Sequence, residues 1–333
     1  MDNEFISVII PTAGRVQDLK RLLFSLNAQT YKNFEVVVVN KGPINGVSKT
    51  LKEFNGKMRI KLLREDQGLT ASLNLGIAES EGSIIIKTDD DVYPLNTWLE
   101  ELIKPFKLKR NIGGVTGPSI VPFKMRKNRD SLLFIDRMLT TKKFVYLLLR
   151  IFYFNLILEG KWDHPGFIAR SGAITWGGAF GTHHDETDLI EVMFMSPANM
   201  AIRRDVLNKV GVFDENYRGI GTFCEPDMAL RILRAGYIIM YNPKAIVYHL
   251  VSTRGIFSAR TSTFNEGYNF IYFLSKNIVP YYGISCLPRT LLNIFFTGGY
   301  WLYLFRKTKN VESLKGFIGM IKAMRDRFWQ KFY

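Results

Sequence analysis

The first hundred residues alternate two hydrophobic periods, and that alternation narrows the fold more than any other feature. Largely apolar runs at residues 5–10, 34–39 and 83–87, and the mixed apolar and basic run 58–63, have the length of strands. Between them, Leu19, Leu22, Leu23 and Leu26 mark a helix over 16–28, and the spacing predicts further helices over 69–78 and 95–106. A parallel neighbour strand needs a crossover, and a crossover helix buries one face of the sheet. Repeating the unit predicts an α/β fold with a doubly wound, mostly parallel central sheet. Further strands are expected at 113–121, 192–202, 237–241 and 245–249. A short helix over 205–210 is expected to be capped by Asp205. Another, over 225–235, carries Pro226 in its first turn and ends at Gly236. Residues 123–161 read as a basic helical insertion, and 260–333 as helical throughout.

In such a sheet ligands bind at the carboxyl ends of the strands. Four loops fall there: residues 11–15, 40–43, 65–68 and 89–91. The last holds Asp89, Asp90 and Asp91 at the end of a strand-like run. Packed carboxylates repel unless a cation neutralises them, and hard oxygen ligands suit Mg²⁺ or Mn²⁺. An acidic turn capping the next helix accounts equally well for the triplet taken alone. Neither a G-x-G-x-x-G after the first strand nor a G-x-x-x-x-G-K-[ST] occurs, which removes the usual phosphate loops.

Charge is unevenly placed. The net charge of +15 over 333 residues comes from two segments, 101–160 and 257–333, which are also rich in aromatic and aliphatic residues. The run 144–158 contains Arg150 and Asn155 and is shorter than the ~20 residues needed to cross a bilayer. Residues 281–305 are apolar but interrupted by Pro288, Arg289, Gly298 and Gly299. Basic amphipathic segments of this kind favour an anionic membrane surface. Long aliphatic runs between the cations argue against a nucleic-acid partner. Cys224 and Cys286 form no metal-ligand spacing or disulfide framework. The acidic start has no signal-peptide pattern, so the expected location is the cytoplasmic face of a membrane, held peripherally or monotopically.

Together the motifs resemble the family 2 glycosyltransferases of GT-A fold. The resemblance rests on residues 8–12 (VIIPT) with Arg15, residues 68–76 (GLTASLNLG), the triplet Asp89–Asp91 as a D-x-D motif, residues 199–204 (NMAIRR), 211–215 (GVFDE), 225–231 (EPDMALR), Gly236-Tyr237 and Tyr248-His249. It implies a nucleoside diphosphate sugar as donor, a divalent metal, and inversion at the anomeric carbon. Asp91 and His249 would bind the metal, Asp89 the ribose or donor sugar, and Asp90 would orient either group. Pro11, Thr12, Arg15, Asn40, Gly68 and Ser72 would contact the nucleotide sugar. Glu225, six residues before Arg231, matches the family's catalytic base. Asp227 is the alternative, and both could instead simply favour the positive end of a helix.

Two positions depart from the family pattern. Asn40 replaces a common Asp after the second strand, and Leu73 replaces a common Arg, so that charge contact to the donor is either absent or supplied by Arg15 or Lys41. On the acceptor side Trp176 offers a stacking face or a core side chain. Residues 183–186, with His184, read as a polar loop over the acceptor, and Asn199 is a further acceptor-side candidate. The resulting division is 1–122 for the nucleotide-sugar half, 123–161 for the insertion, 162–256 for the acceptor and catalytic half, and 257–333 for a membrane-associated helical segment. The acceptor implied is a glycan or lipid-linked saccharide, as in oligosaccharide or surface polysaccharide assembly. Polyprenyl phosphate as acceptor and a non-catalytic membrane scaffold are the rival readings.

Overall fold

The computed structural model describes residues 4–127, 130–175, 177–181, 185, 187–252 and 263–329. Eight strands form the main sheet in the order β3-β2-β1-β4-β9-β6-β10-β8. They are β1 (Ile6–Thr12), β2 (Phe34–Asn40), β3 (Arg59–Arg64), β4 (Ile84–Lys87), β6 (Ile112–Thr116), β8 (Ile190–Val192), β9 (Met200–Arg203) and β10 (Ile238–Tyr241). Only β8 and β9 run against the rest. A second sheet of three short strands joins β5 (Val92–Pro94), β11 (Val247–His249) and β7 (Ser119–Ile120).

Side-chain alternation along β1 explains the layering. Ile6, Val8 and Ile10 face α1 (Val16–Asn27), α2 (Asn45–Lys52) and α4 (Trp98–Ile103), where they meet Leu19, Leu23, Val47 and Trp98. Ile9 faces α3 (Leu69–Ala78), and its layer continues through α9 (Arg204–Val210) and α10 (Cys224–Arg234). The insertion is helical: α5 (Phe123–Arg126), α6 (Asp130–Thr140), α7 (Phe144–Ile151) and a π-helical stretch Phe152–Ile157. After α8 (Gly177–Phe180) come the strands and helices already placed, and then α11 (Thr263–Phe273), α12 (Val279–Tyr282), α13 (Leu287–Thr308) and α14 (Val311–Trp329). Phe273, Trp301 and Met320 from these last helices share one core with Met228 and Leu230 of α10. No helix among the described residues is long and apolar enough to cross a membrane.

Several elements differ from their sequence patterns. The expected strand 192–202 is two strands, because residues 193–199 leave the sheet around Pro197, which has no N–H to give to a ladder. The expected strand 113–121 breaks at Gly117-Pro118 and passes into the second sheet. A Cβ on Gly117 would meet the Ala245 carbonyl at 2.3 Å, so only glycine permits this crossing. Helix α2 and strands β5 and β8 carry too few periodic residues to be read locally. Asp205 does not cap α9: it lies in the first turn and pairs with Arg203, the residue at the cap position.

Candidate active site

Parallel register brings Thr12 of β1, Asn40 of β2 and Arg64 of β3 to one level at the carboxyl edge. On the other side of β1, Ile9 pairs with Lys87 at the end of β4, so Asp89–Asp91 begin just beyond that level. Strands β2 and β3 lie to one side of β1 and β4 to the other. The gap between β1 and β4 is therefore the topological switch point where such folds open a crevice. The side chains span it. Thr12 Oγ1 donates to Asp90 Oδ2 at 2.6 Å, and Arg15 donates from Nε to the same oxygen at 3.1 Å. Arg15 Nη1 donates to Asp91 Oδ2 at 2.9 Å.

A second device turns Asp91 toward His249. The triplet runs directly into β5, and β5 pairs antiparallel with β11 so that Val92 faces His249. The Leu250 N–H donates to the Asp91 carbonyl at 3.0 Å. The Ser252 N–H donates to Asp91 Oδ2 at 2.8 Å, while Asp91 Oδ1 faces His249 Nε2 at 3.2 Å. His249 Nε2 also lies 4.0 Å from Asp89 Oδ2. One atom from each of Asp89, Asp91 and His249 lies within 4.8 Å of the others. His249 Nε2 is buried and makes no hydrogen bond. Two carboxylates and an imidazole nitrogen aimed at one point suit a divalent cation such as Mn²⁺ or Mg²⁺, so the residues present fit the metal that the sequence implies.

The electrostatics separate the three aspartates. Burial pushes the Asp90 carboxyl up to about 7, against the Arg15 guanidinium and with Asp91 adding to the rise. Burial acts the same way on Asp89, but the Lys87 ammonium and His249 outweigh it and hold Asp89 below the usual carboxylate range. Arg15, itself raised against its burial by Asp90 and Asp91, is thus spent on the acidic cluster. It does not replace the family arginine at Leu73, which is buried beside Ile9 and Val39 in the core.

Lys87 is the residue that sequence reasoning missed. It is 3% exposed, at the end of a strand buried at every position. Its Nζ donates to Glu225 Oε1 at 2.8 Å and to the Pro197 carbonyl at 2.5 Å, and lies 3.3 Å from Asp89 Oδ1. Burial would lower its pKa, but Asp89 and Glu225 hold it raised. One ammonium thereby links the metal-side carboxylate to Glu225. The available signal was a lysine closing an otherwise aliphatic strand, since a buried cation requires counter-charges nearby.

Glu225 enters through the start of α10. The residue before that helix, Phe223, adopts a left-handed φ of 75°, which costs a non-glycine residue energy. Its ring stacks on Phe273 of α11 at 5.3 Å between centroids, so a C-terminal helix supports the strained cap. Asp227 points elsewhere. It is fully buried and accepts from Arg231 Nε at 2.9 Å, Asn277 Nδ2 at 2.8 Å and the Tyr217 hydroxyl at 3.2 Å, with Lys276 Nζ at 2.7 Å. Four donors fix this carboxylate in the packing of α10, which weighs against Asp227 as the base.

The remaining sequence candidates divide. Asn40 is buried, its Nδ2 donating to the Gly42 and Pro43 carbonyls, while its Oδ1 makes no hydrogen bond. Pro11 sits beside Val39 in the β1–β2 ladder. Ser72 donates to the Gly68 carbonyl at 2.9 Å, one turn back along α3. Asn74 of the same motif exchanges side-chain hydrogen bonds with the Phe213 backbone at 2.9 Å each, joining two motif segments. Asn199 is not accessible to an acceptor. Its amide accepts from Trp98 Nε1 and donates to the Pro118 and Ala245 carbonyls, tying the two sheets together. Trp176, His183, His184 and Glu186 lie outside the described residues.

Comparison with known proteins bears on the family and the fold. The family profile described as glycosyl transferase family 2 matches residues 7–211. Glycosyltransferase AglE of Haloferax volcanii is 34% identical over 101 residues, covering 29% of this chain and 33% of that protein. Chondroitin synthase of Escherichia coli is 24% identical over 255 residues, covering 73% of this chain and 34% of that protein. The matched regions thus span about a third of these curated relatives. The mannosyltransferase PcManGT from Pyrobaculum calidifontis, solved in complex with GDP-Man and Mn²⁺, superposes with a TM-score of 0.55. It is 15% identical, with 96% of this chain and 87% of that chain covered, a likeness that carries the fold.

Proposed function

The chain belongs to glycosyl transferase family 2, and from that premise we propose that it moves one sugar from a nucleoside diphosphate sugar to an acceptor hydroxyl, with inversion at the anomeric carbon. The observation that carries this reading is the convergence of Asp89, Asp91 and His249 at the switch point, with Glu225 joined to Asp89 through Lys87. A divalent cation bound there would offset the charge that grows on the departing diphosphate.

The protein's own groups do the rest. Thr12 and Arg15 hold the acidic cluster in one geometry. Asn40 Oδ1, a buried acceptor without a donor, meets an N–H on the edge of the nucleobase. Glu225 takes the proton of the acceptor hydroxyl as that oxygen attacks C1. The bond from C1 to the diphosphate oxygen breaks through an oxocarbenium-like state, and attack opposite the leaving group inverts the centre. Lys87 fixes one carboxylate oxygen of Glu225. Asp227 braces α10.

The acceptor in this reading is a lipid-linked saccharide at the cytoplasmic face of a membrane. The exposed basic and apolar helices support that placement, as do two buried thiols without a disulfide. Thermal-shift titration with UDP-, GDP- and dTDP-sugars, with and without Mn²⁺, identifies the donor. Glu225→Gln then tests the base. It should retain donor binding and lose turnover by about 10²–10⁴-fold. Near-normal turnover would favour an already anionic acceptor such as a polyprenyl phosphate. Failure of every sugar nucleotide to bind would favour a scaffold, against which the complete Asp89–Asp91–His249 set argues.

A further inference from the structure

Helix α7 exposes Phe144, Leu148 and Ile151, with Phe144 at 70%, and a single stripe on α13 exposes Leu291, Phe295 and Leu302, with Phe295 at 75%. The opposite side of α13 buries Thr290, Asn293 and Trp301 against the protein. These two apolar faces adjoin. Phe296 of α13 packs on Phe152 and Tyr153, just after α7, at centroid distances of 5.7 and 5.0 Å. The Arg289 guanidinium donates to the Leu156 carbonyl at 3.2 Å. Around them, Lys142, Lys143, Arg306, Lys307 and Lys309 are exposed. Residues 142–158 and 283–309 contain no carboxylate. The neighbouring Glu159 lies 4.0 Å from Arg289.

From this arrangement we infer that α7 and α13 together form one docking face for the surface of an anionic lipid bilayer. An apolar stripe bordered by cations matches acyl chains beneath anionic headgroups. A second copy of the chain would bring the same cations against each other. No described helix is both long and apolar enough to cross, so both helices lie in the interfacial plane. The inference deepens the membrane-side acceptor of the proposed function and rests on that reading for its purpose. It also ties membrane seating to the catalytic half, because α13 packs into the core that holds α10.

The test is co-sedimentation of the full chain with phosphatidylglycerol-containing vesicles and with pure phosphatidylcholine vesicles. Three proteins are compared: the unaltered chain, Leu291→Asn with Phe295→Asn, and Arg306→Gln with Lys307→Gln. The unaltered protein should prefer the anionic vesicles, and each double variant should bind them about tenfold more weakly or worse. All three should show the same melting temperature and the same Mn²⁺-dependent shift with a nucleoside diphosphate, since the substituted side chains are exposed and away from the donor site. Absence of vesicle binding, or binding indifferent to both variants, overturns the inference. So does a dimer that the Asn variant dissociates. Loss of the nucleotide response in the unaltered protein with vesicle binding intact would instead sink the transferase reading and leave the face standing.

Discussion

Replacing Lys87 by Met separates a structural ion pair from a working one. The ammonium is nearly inaccessible, 2.8 Å from Glu225 and 3.3 Å from Asp89, and it also serves the Pro197 carbonyl. Met preserves most of the volume but leaves the Glu225 carboxylate buried without its cation. Breaking one side of a buried pair costs about 3–5 kcal/mol. Unfolding entropy of about 2.1 cal/mol/K per residue gives roughly 0.7 kcal/mol/K for the whole chain, so the melting temperature should fall by about 4–7 °C. Turnover should fall further than stability predicts, by about 10²-fold, because Glu225 loses the contact that orients it. Nucleoside diphosphate binding with Mn²⁺ should change far less, since Asp91 and His249 remain. Calorimetry gives the first quantity, and steady-state kinetics on the identified donor gives the others. An unchanged melting temperature with turnover within about twofold would show that the link between the metal-side carboxylate and Glu225 does nothing.

Three further outcomes follow from the same contacts. Asp227→Asn should destabilise the protein by about 3 kcal/mol while the folded enzyme keeps its turnover, the reverse of Glu225→Gln; loss of turnover without destabilisation would return Asp227 to the chemistry. Burial would raise the Asp214 carboxyl, but Lys276, the Asn216 N–H and the Tyr272 hydroxyl bring it down to about 2. A depressed folded pKa gives stability that is present above the ordinary value near 3.8 and is lost as pH falls toward 2, so Asp214→Asn should flatten the acid limb of a denaturation profile in that window; an unchanged limb would refute the assignment. Asp91→Asn should abolish the Mn²⁺ dependence of nucleoside diphosphate binding in a thermal-shift assay, and an undiminished metal response would place the ion elsewhere.

Local pattern made some of this molecule readable and long-range pairing hid the rest. Strands β1, β2 and β4 are visible as largely apolar runs, β3 by the recurrence of Ile60, Leu62 and Leu63 among basic residues, and α1 because its leucines recur at helical spacing. The second sheet is only partly visible locally: the expected strand 245–249 covers β11 and the expected strand 113–121 runs over β7, but the three residues of β5 show no pattern of their own and are ordered by pairing with β11. Pairing with β5 sets His249 opposite the residue following Asp91, so the metal geometry depends on one strand, β5, that no local window reveals. Local pattern alone does not separate Glu225 from Asp227, since both sit in the first turn of α10. Lys276 and Asn277, some fifty residues later, distinguish them by claiming Asp227. Asn199 was legible as a motif residue but not in its role, because its partners Trp98, Pro118 and Ala245 come from three separate segments.

The central claim is that Asp89, Asp91 and His249 hold the ion that carries the donor diphosphate. Anomalous diffraction from crystals grown with Mn²⁺ and a nucleoside diphosphate tests it directly. The account predicts a manganese peak about 2.1 Å from Asp91 Oδ1 and His249 Nε2, with diphosphate oxygens completing the shell. A peak outside that cluster, or a diphosphate ordered in the crevice with no manganese beside Asp91, would contradict it.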